Sequence, residues 1–378
     1  MAGIYLHIPF CKQKCHYCNF YSLASVKYRD VFVDALLREM HLRKDYLHGQ
    51  SVQTVYFGGG TPSLLTTEEI NRILTEITKL FALDAEAEIT LEANPDDLTP
   101  DYLRHLKSHT RVNRLSIGIQ SFFDDDLAYL HRVHNGKQAI KAVEQARQAG
   151  FQNLTIDLIY GIPTLTEEKW RRNLAWFFEL GIPHLSSYAL TVEPKTALQV
   201  LIDRNKTDRP EEDHSIRHFE ILLDQTEKHG FVQYEISNFA LPGFYSKHNS
   251  AYWLGGHYLG LGPSAHSFNG LSRQWNVANM KKYVESETVE KIVLEKEILT
   301  ENQRYNEYIL TSLRTSWGCD TEHIRNGFGE KYEHHFLRHM TPFLQEKKVE
   351  KRGNAYMLTN NGKLFADGIA AALFMEED

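Results

Sequence analysis

The chain has 378 residues, 42% hydrophobic and 24% charged, an ordinary globular composition that excludes disorder, collagen and a coiled-coil rod. At roughly 150 residues per domain it fits two or three domains, or one large domain with an appendage. Lys and Arg total 42 against 49 Asp and Glu, a net charge of −7, so no chain-wide surface for nucleic acid or anionic membrane is expected.

Residues 1–10 carry no basic leader and no long apolar run before a cleavage site, which argues against secretion. Residues 4–8 read as a strand. Phe32, Leu36, Leu37 and Met40 predict a helix over 28–46. A second strand over 52–57 closes on Gly58, Gly59 and Gly60. Thr66 or Thr67 then caps a helix reaching 81, with Glu68 and Glu69 in its first turn. A third strand covers 88–91, and Pro100 opens the next helix. The fourth, over 114–119, precedes helices near 124–130 and 137–149. The fifth, over 154–159, leads to a helix over 167–180, and the sixth covers 185–190. No stretch in the chain approaches the roughly 18 apolar residues of a membrane span.

Strand–helix repeats at intervals of about 30 to 40 residues read as consecutive βαβ units with a parallel sheet. Six repeats fall short of the eight of a closed barrel, so the expected fold class is α/β, a partial (β/α)6 TIM-like barrel with one open side. Its functional groups should stand at the C-terminal ends of the strands. Past 240 the pattern changes. Residues 1–240 are expected to form the barrel, 241–290 a Gly- and aromatic-rich connection, and 291–378 a small C-terminal domain. Helical runs at 301–312 and 332–345 and a hairpin at 349–358 suggest a helical, winged-helix-like unit. With 12 Lys or Arg and 14 Asp or Glu from 291 onward, it nets −2, whereas a DNA-binding wing is normally basic. A structural cover is expected there, and no nucleic acid.

Only four cysteines occur, and Cys11, Cys15 and Cys18 lie within eight positions. A secreted disulfide scaffold would spread them, so the reducing cytoplasm is expected. Nineteen histidines add a hint of metal or porphyrin chemistry. Three thiolates on one short loop can converge on one metal centre. Zinc wants a fourth ligand nearby, and His16, between two ligands on a tight loop, should point away. A four-iron cluster takes four ligands, so three thiolates leave one iron open to an exogenous ligand. Lys12 and Lys14 should favour the thiolate form. Cys319 reads as a buried structural thiol. Glu92, Gln120, Arg132 and Asp157 end or follow successive strands. Together on one rim they could bind a zwitterionic, ribose-bearing ligand.

The Cys-x3-Cys-x2-Cys spacing after a first strand, with Tyr17 before the last cysteine, resembles the radical S-adenosylmethionine (SAM) superfamily. That resemblance implies a [4Fe–4S] cluster on Cys11, Cys15 and Cys18, its open iron chelated by SAM. "VYFGGGTPSLL", "LEANPDDL", "RLSIGIQSF", "LHRVHN" and "IDLIYGIP" are similar to the branch that holds oxygen-independent coproporphyrinogen oxidase and a heme-chaperone paralogue. By it, Tyr5, Tyr17, Gly59, Gly60, Thr61, Glu92, Gln120, Arg132, Asp157 and Ala189 correspond to cofactor-binding positions.

Two departures bear on the choice within that branch. The oxidase carries a further cysteine two positions past Cys18, where this chain has Phe20, and an N-terminal extension where only ten residues precede Cys11. His248-Asn249-Ser250-Ala251-Tyr252-Trp253 resembles the heme-chaperone motif, which implies heme at His248, with His257 and His266 as alternative ligands. The expected function is then a chaperone that passes heme to an acceptor hemoprotein, with no catalytic residue assigned. Respiratory hemoproteins are one candidate class of acceptor, and a homodimer is a candidate assembly. The alternative is oxidative decarboxylation of coproporphyrinogen III in porphyrin biosynthesis, started by a radical cut from SAM.

Overall fold

The computed structural model describes residues 2–25 and 27–376, so the outermost bounds of the sequence-derived units, 1 and 378, fall outside it. In chain order the first two-thirds contains β1 (Ala2–Ile8), α1 (Arg29–Leu42), β2 (Val52–Gly59), α2 (Thr67–Leu80), β3 (Leu83–Ala93), α3 (Pro100–His109), β4 (Arg114–Gln120), α4 (Asp124–Tyr129), α5 (Gly136–Gln148), β5 (Asn153–Tyr160), α6 (Glu167–Glu179) and β6 (His184–Ala189). β1 to β6 pair in sequence order, all parallel, as the βαβ spacing predicts. The partial six-unit α/β barrel is present.

Local chemistry explains the elements. Thr66 and Glu69 form a reciprocal capping box at the start of α2, and Ile70, Ile73, Leu74 and Ile77 bury one face of it. The strands alternate. Ile4, Leu6, Ile8, Phe57, Leu91 and Ile117 are fully buried. The intervening positions carry Tyr5, His7, Tyr56, Glu92, Ser116 and Asp157, several of which contact one another across the sheet. The barrel interior is therefore polar, and the apolar core lies between strands and helices.

Past β6 come α7 (Ala197–Asp203), α8 (Glu212–Lys228), β7 (Val232–Glu235) and β8 (Asn238–Ala240), the last antiparallel to β6. Next are α9 (Lys247–Trp253), β9 (His257–Leu261), β10 (His266–Phe268), β11 (Ser272–Asn276), α10 (Met280–Glu285), α11 (Val289–Ile292) and β12 (Val293–Ile298). β9 is parallel to β1, and β10 to β12 continue antiparallel, giving the order β12-β11-β10-β9-β1-β2-β3-β4-β5-β6-β8-β7. The Gly- and aromatic-rich stretch thus contributes three strands, β9 to β11, to the β1 edge of the barrel.

The remainder comprises α12 (Glu301–Leu313), β13 (Cys319–Asp320), α13 (Thr321–Phe328), α14 (Glu330–Gln345), β14 (Val349–Arg352), β15 (Ala355–Leu358), α15 (Asn360–Lys363) and α16 (Ala366–Ala372). Its strands form a separate sheet in the order β13-β15-β14, and helices followed by the hairpin give the winged-helix-like arrangement. Tyr305, Ile309, Phe336, Met340 and Tyr356 build its own core, with Cys319 fully buried inside. Among the described residues no helix is long and apolar enough to cross a membrane.

Candidate functional site

The thiol loop leaves the C-terminal end of β1 and is pinned by its backbone. Cys11 N–H donates to Leu23 O at 3.0 Å, Leu23 N–H to Pro9 O at 2.7 Å, and Cys18 N–H to Cys15 O at 3.3 Å. His16 turns away from the sulfurs. Its Nδ1 donates to Tyr129 O at 3.2 Å, and its ring stacks on His131 with centroids 4.3 Å apart. His131 Nδ1 in turn donates to Lys14 O at 3.1 Å. All three cysteines are half-buried and free of disulfides.

Of the two lysines, Lys14 acts on a thiol in the expected direction, favouring the Cys18 thiolate. Lys12 is held by Asp96 at 2.7 Å and by Asp97, and Lys14 exerts the smallest of the effects on Cys18. The cation on sulfur is Arg132. Its Nη1 lies 3.2 Å from Cys15 Sγ, while Nη2 donates to Asn94 Oδ1 at 2.6 Å and Gly118 O at 2.7 Å. Asn94 Nδ2 donates to Thr61 Oγ1 at 3.2 Å. Burial pushes the Cys11 and Cys18 thiols up, opposed at Cys11 by the Thr61 hydroxyl.

Below the loop lie two carboxylates of the barrel interior. Glu92 accepts from Tyr56 Oη at 2.8 Å and from Gly59 N–H at 3.2 Å. Burial nevertheless holds it up at about 7, and the charge of Asp157 adds to this. Burial likewise holds Asp157 at about 6, with Arg114 and Arg132 pulling the other way. Gln120 ends β4 in the left-handed region (φ 71°), where a non-glycine side chain is strained and, in this case, buried. Tyr5 is half-buried beside Glu92, and Tyr17 is close enough to feel Arg132, Cys15 and Asp157. Ala189 stands at the exposed end of β6 and offers backbone alone.

His248 departs from the expectation of an open ligand. It is buried in α9, with Nδ1 2.7 Å from Thr54 Oγ1 and Nε2 3.0 Å from Tyr252 Oη, and its ring stacks on Tyr56 at 4.9 Å. Both nitrogens are engaged, so it offers no lone pair to a metal in this conformation. Tyr252 is one wall of an open cavity of about 470 Å3, shared with Tyr5, His7, Phe20, Tyr21, Tyr258 and His266 among others. That volume falls in the range of small-molecule sites.

The family model described as the radical SAM superfamily matches residues 5–177. The heme chaperone HemW of Bacillus subtilis is 33% identical over 387 aligned residues, 100% of each chain. That of Haemophilus influenzae is 30% identical across 99% of this chain and 98% of its own. The chain belongs to the HemW family. The Escherichia coli HemW is 37% identical over 70% of this chain and 69% of its own. The solved structure of Escherichia coli coproporphyrinogen III oxidase (HemN), described as a radical SAM enzyme, superposes with a TM-score of 0.84 over 99% of this chain and 90% of that one. At 23% identity it speaks for the fold alone.

The residues fit the groups that membership in the HemW family and the match to the radical SAM model imply. Among the described residues no His, Cys, Asp or Glu side chains converge tightly enough to grip a single metal ion, as a structural zinc would require. An iron–sulfur cube instead seats each thiolate on its own iron. Gly60 keeps the loop open. A Cβ there would stand 2.7 Å from Phe10 O and 2.9 Å from Cys11 Sγ. Glu92 and Asp157, half-buried carboxylates held up at about 7 and about 6, form no ion pair with any described residue, and Arg132 Nε is buried with no hydrogen-bond partner among the described residues. A ligand bearing an ammonium and a carboxylate answers both deficits. Sequence reasoning missed Tyr56 and Asn94, the residues that tie Glu92 and Arg132 into the rim. Asn94 sits in the quoted "LEANPDDL" string, and Tyr56 in "VYFGGGTPSLL".

Proposed function

We propose that this chain is a heme chaperone that binds heme and passes it to an acceptor hemoprotein while carrying a [4Fe–4S] cluster and SAM. One observation carries the reading: identity of about a third, sustained over the whole length, with relatives named as heme chaperones. Cys11, Cys15 and Cys18 hold the cluster. Glu92 and Asp157 meet the cationic and hydroxyl-bearing parts of SAM, Arg132 and Gln120 its polar ends, and Gly59, Gly60 and Thr61 let it approach the loop. Tyr5, Tyr17 and Ala189 complete the walls. When bound, the cluster supplies an open Lewis-acid iron and a one-electron reductant. The chain's own contribution is to hold that centre half-buried beside the tyrosine-walled cavity. His248 serves the heme site through Tyr252. The exposed Phe20, where the oxidase has a cysteine, fits a carrier's apolar lip.

The test is anaerobic. Reconstituted protein titrated with heme should develop a Soret band and saturate, and the same preparation given coproporphyrinogen III, SAM and a reductant should form no protoporphyrinogen. Protoporphyrinogen formation without a Soret band would overturn the chaperone reading in favour of the decarboxylase.

A further inference from the structure

Where the last strands of the large sheet meet the C-terminal unit, backbone joins the two. Ser316 N–H donates to Tyr234 O and Ile236 N–H to Arg314 O, each at 3.0 Å. Beside this seam lies a cavity of about 370 Å3, a volume in the range of small-molecule sites. Its charged lining is Glu235 of β7, Arg314 after α12, Glu350 and Arg352 of β14, and Lys363 ending α15. Four of the five are matched. Arg314 Nη1 bridges to Asp367 at 2.9 Å, and its Nε lies 3.5 Å from Glu235 Oε1. Glu235 also accepts from Ser237 N–H at 2.9 Å and Asn238 Nδ2 at 2.7 Å. Arg352 bridges to Glu350 at 2.6 Å. Lys363 is half-buried and forms no ion pair with any described residue. Its Nζ donates to Gln233 Oε1 at 2.6 Å and to Asn360 Oδ1 at 3.0 Å, which leaves one of three ammonium donors and a charge answered only by neutral amides. Gln233 is locked in turn, its Nε2 donating to Ile236 O at 2.8 Å. A Cβ on Gly362 would stand 1.8 Å from Lys348 O, so glycine there brings α15 close against the entry to β14 and sets Lys363 at the seam.

We propose that this cavity binds a small monocarboxylate, its carboxylate on Lys363 and its carbon chain against Ile236, Leu313 and Met357, which also line it. One positive charge stands unmatched after the internal pairs, and it calls for one negative charge. A phosphate dianion would set its second charge against Glu235 and Glu350. Partial burial makes the ammonium–carboxylate bond stronger than the same pair in open solvent. Because Lys363 already reaches Gln233 of β7, the occupant sits across the seam and holds the C-terminal unit to the sheet edge. None of these residues is among those assigned to cluster, SAM or heme. Burial lowers Lys363 to about 8, opposed by the charges of Glu227 in α8 and Glu350 in β14. A bound carboxylate favours the charged ammonium, so affinity is full below that value and is lost as pH rises through it.

The full-length chain, reconstituted anaerobically, is titrated calorimetrically with butyrate, with its uncharged amide butyramide and with inorganic phosphate, as wild type and as Lys363→Met. Circular dichroism and the iron content of the thiol loop check the fold. Butyrate should saturate one site in the wild type and bind about tenfold or more weakly in Lys363→Met, and butyramide should give no saturable heat. Wild-type affinity for butyrate should also fall as pH rises from about 7 to about 9, a readout that needs no variant to fold. No saturable butyrate binding, equal binding by Lys363→Met, or a wild-type affinity flat over those pH values would overturn the site. Tighter binding of phosphate than of butyrate would overturn the carboxylate assignment.

Discussion

Two cations sit beside the thiol loop, and the one that faces a sulfur comes from 117 residues away. Lys12 is committed to Asp96 and Asp97, and Arg132 reaches Cys15 while being held by Asn94 and Gly118. Glu92 is the other residue whose state the fold sets. Its value of about 7 is raised above the ordinary 4.5. In the ligand-free chain its stabilising contribution is therefore full below that ordinary value and is lost as pH rises through about 7. A bound ammonium reverses the preference, because it favours the carboxylate. SAM affinity should thus weaken as pH falls from about 8 to about 6 in the wild type, whereas Glu92→Gln should bind weakly with little pH dependence. Calorimetric titration across that range decides it. A wild-type affinity flat over those pH values would contradict the assignment of Glu92 to the cationic group.

At the level of elements, the sheet extension beyond β1 is tied to α1 by a buried ion pair. Arg43 Nη1 donates to Glu39 Oε1 at 3.1 Å, to Gly260 O at 3.1 Å and to Asn276 Oδ1 at 3.2 Å, and Nη2 donates to Ser267 Oγ and Gln274 Oε1, each at 2.9 Å. Glu39 also accepts from Gly262 N–H at 2.8 Å and Tyr283 Oη at 2.7 Å. Removing one partner strands a buried charge, so Glu39→Ala should lower stability by about 3–5 kcal/mol in urea denaturation. A loss near that of a surface pair would show that the network does not hold β9 to β11 in place. Gly260→Ala should keep the iron content of the thiol loop but displace β10 and lose heme affinity, read by iron assay and Soret titration on one preparation. Retained heme affinity would separate the β9–β10 approach from the heme site.

These same elements show what was legible. The six barrel strands and their helices were readable because caps such as Thr66 with Glu69, and apolar spacing such as Ile70, Ile73, Leu74 and Ile77, are local signals. The helix predicted over 28–46 ends at Leu42 because Arg43 is drawn into the buried network, a cause that lies in strands more than 200 residues downstream. β9 to β12 were hidden because glycines and aromatics mask their alternation and their partner, β1, lies at the other end of the chain. The cysteine triad stood out because thiols are rare here. The engagement of His248 by Thr54 and Tyr252 could not be read, since Thr54 belongs to β2 and looks like any strand residue.

For the molecule as a whole, the polar barrel interior carries a pinned thiol loop at its C-terminal rim, and Tyr5, beside Glu92 in that interior, is also a wall of the tyrosine-lined cavity on the β1 side. The second core, around Tyr305 and Phe336, packs separately and carries none of these groups. The central claim is that three sulfurs on one loop hold a cubic iron–sulfur centre with one iron left for SAM. Electron paramagnetic resonance of the reduced, anaerobically reconstituted chain tests it most directly, with iron and sulfide counted on the same sample. The account predicts about four irons and four sulfides per chain, a reduced-cluster signal that shifts on adding SAM, and loss of both in the Cys11→Ala/Cys15→Ala/Cys18→Ala variant. A cluster whose signal ignores SAM, or a wild-type chain holding zinc or no iron, would contradict it.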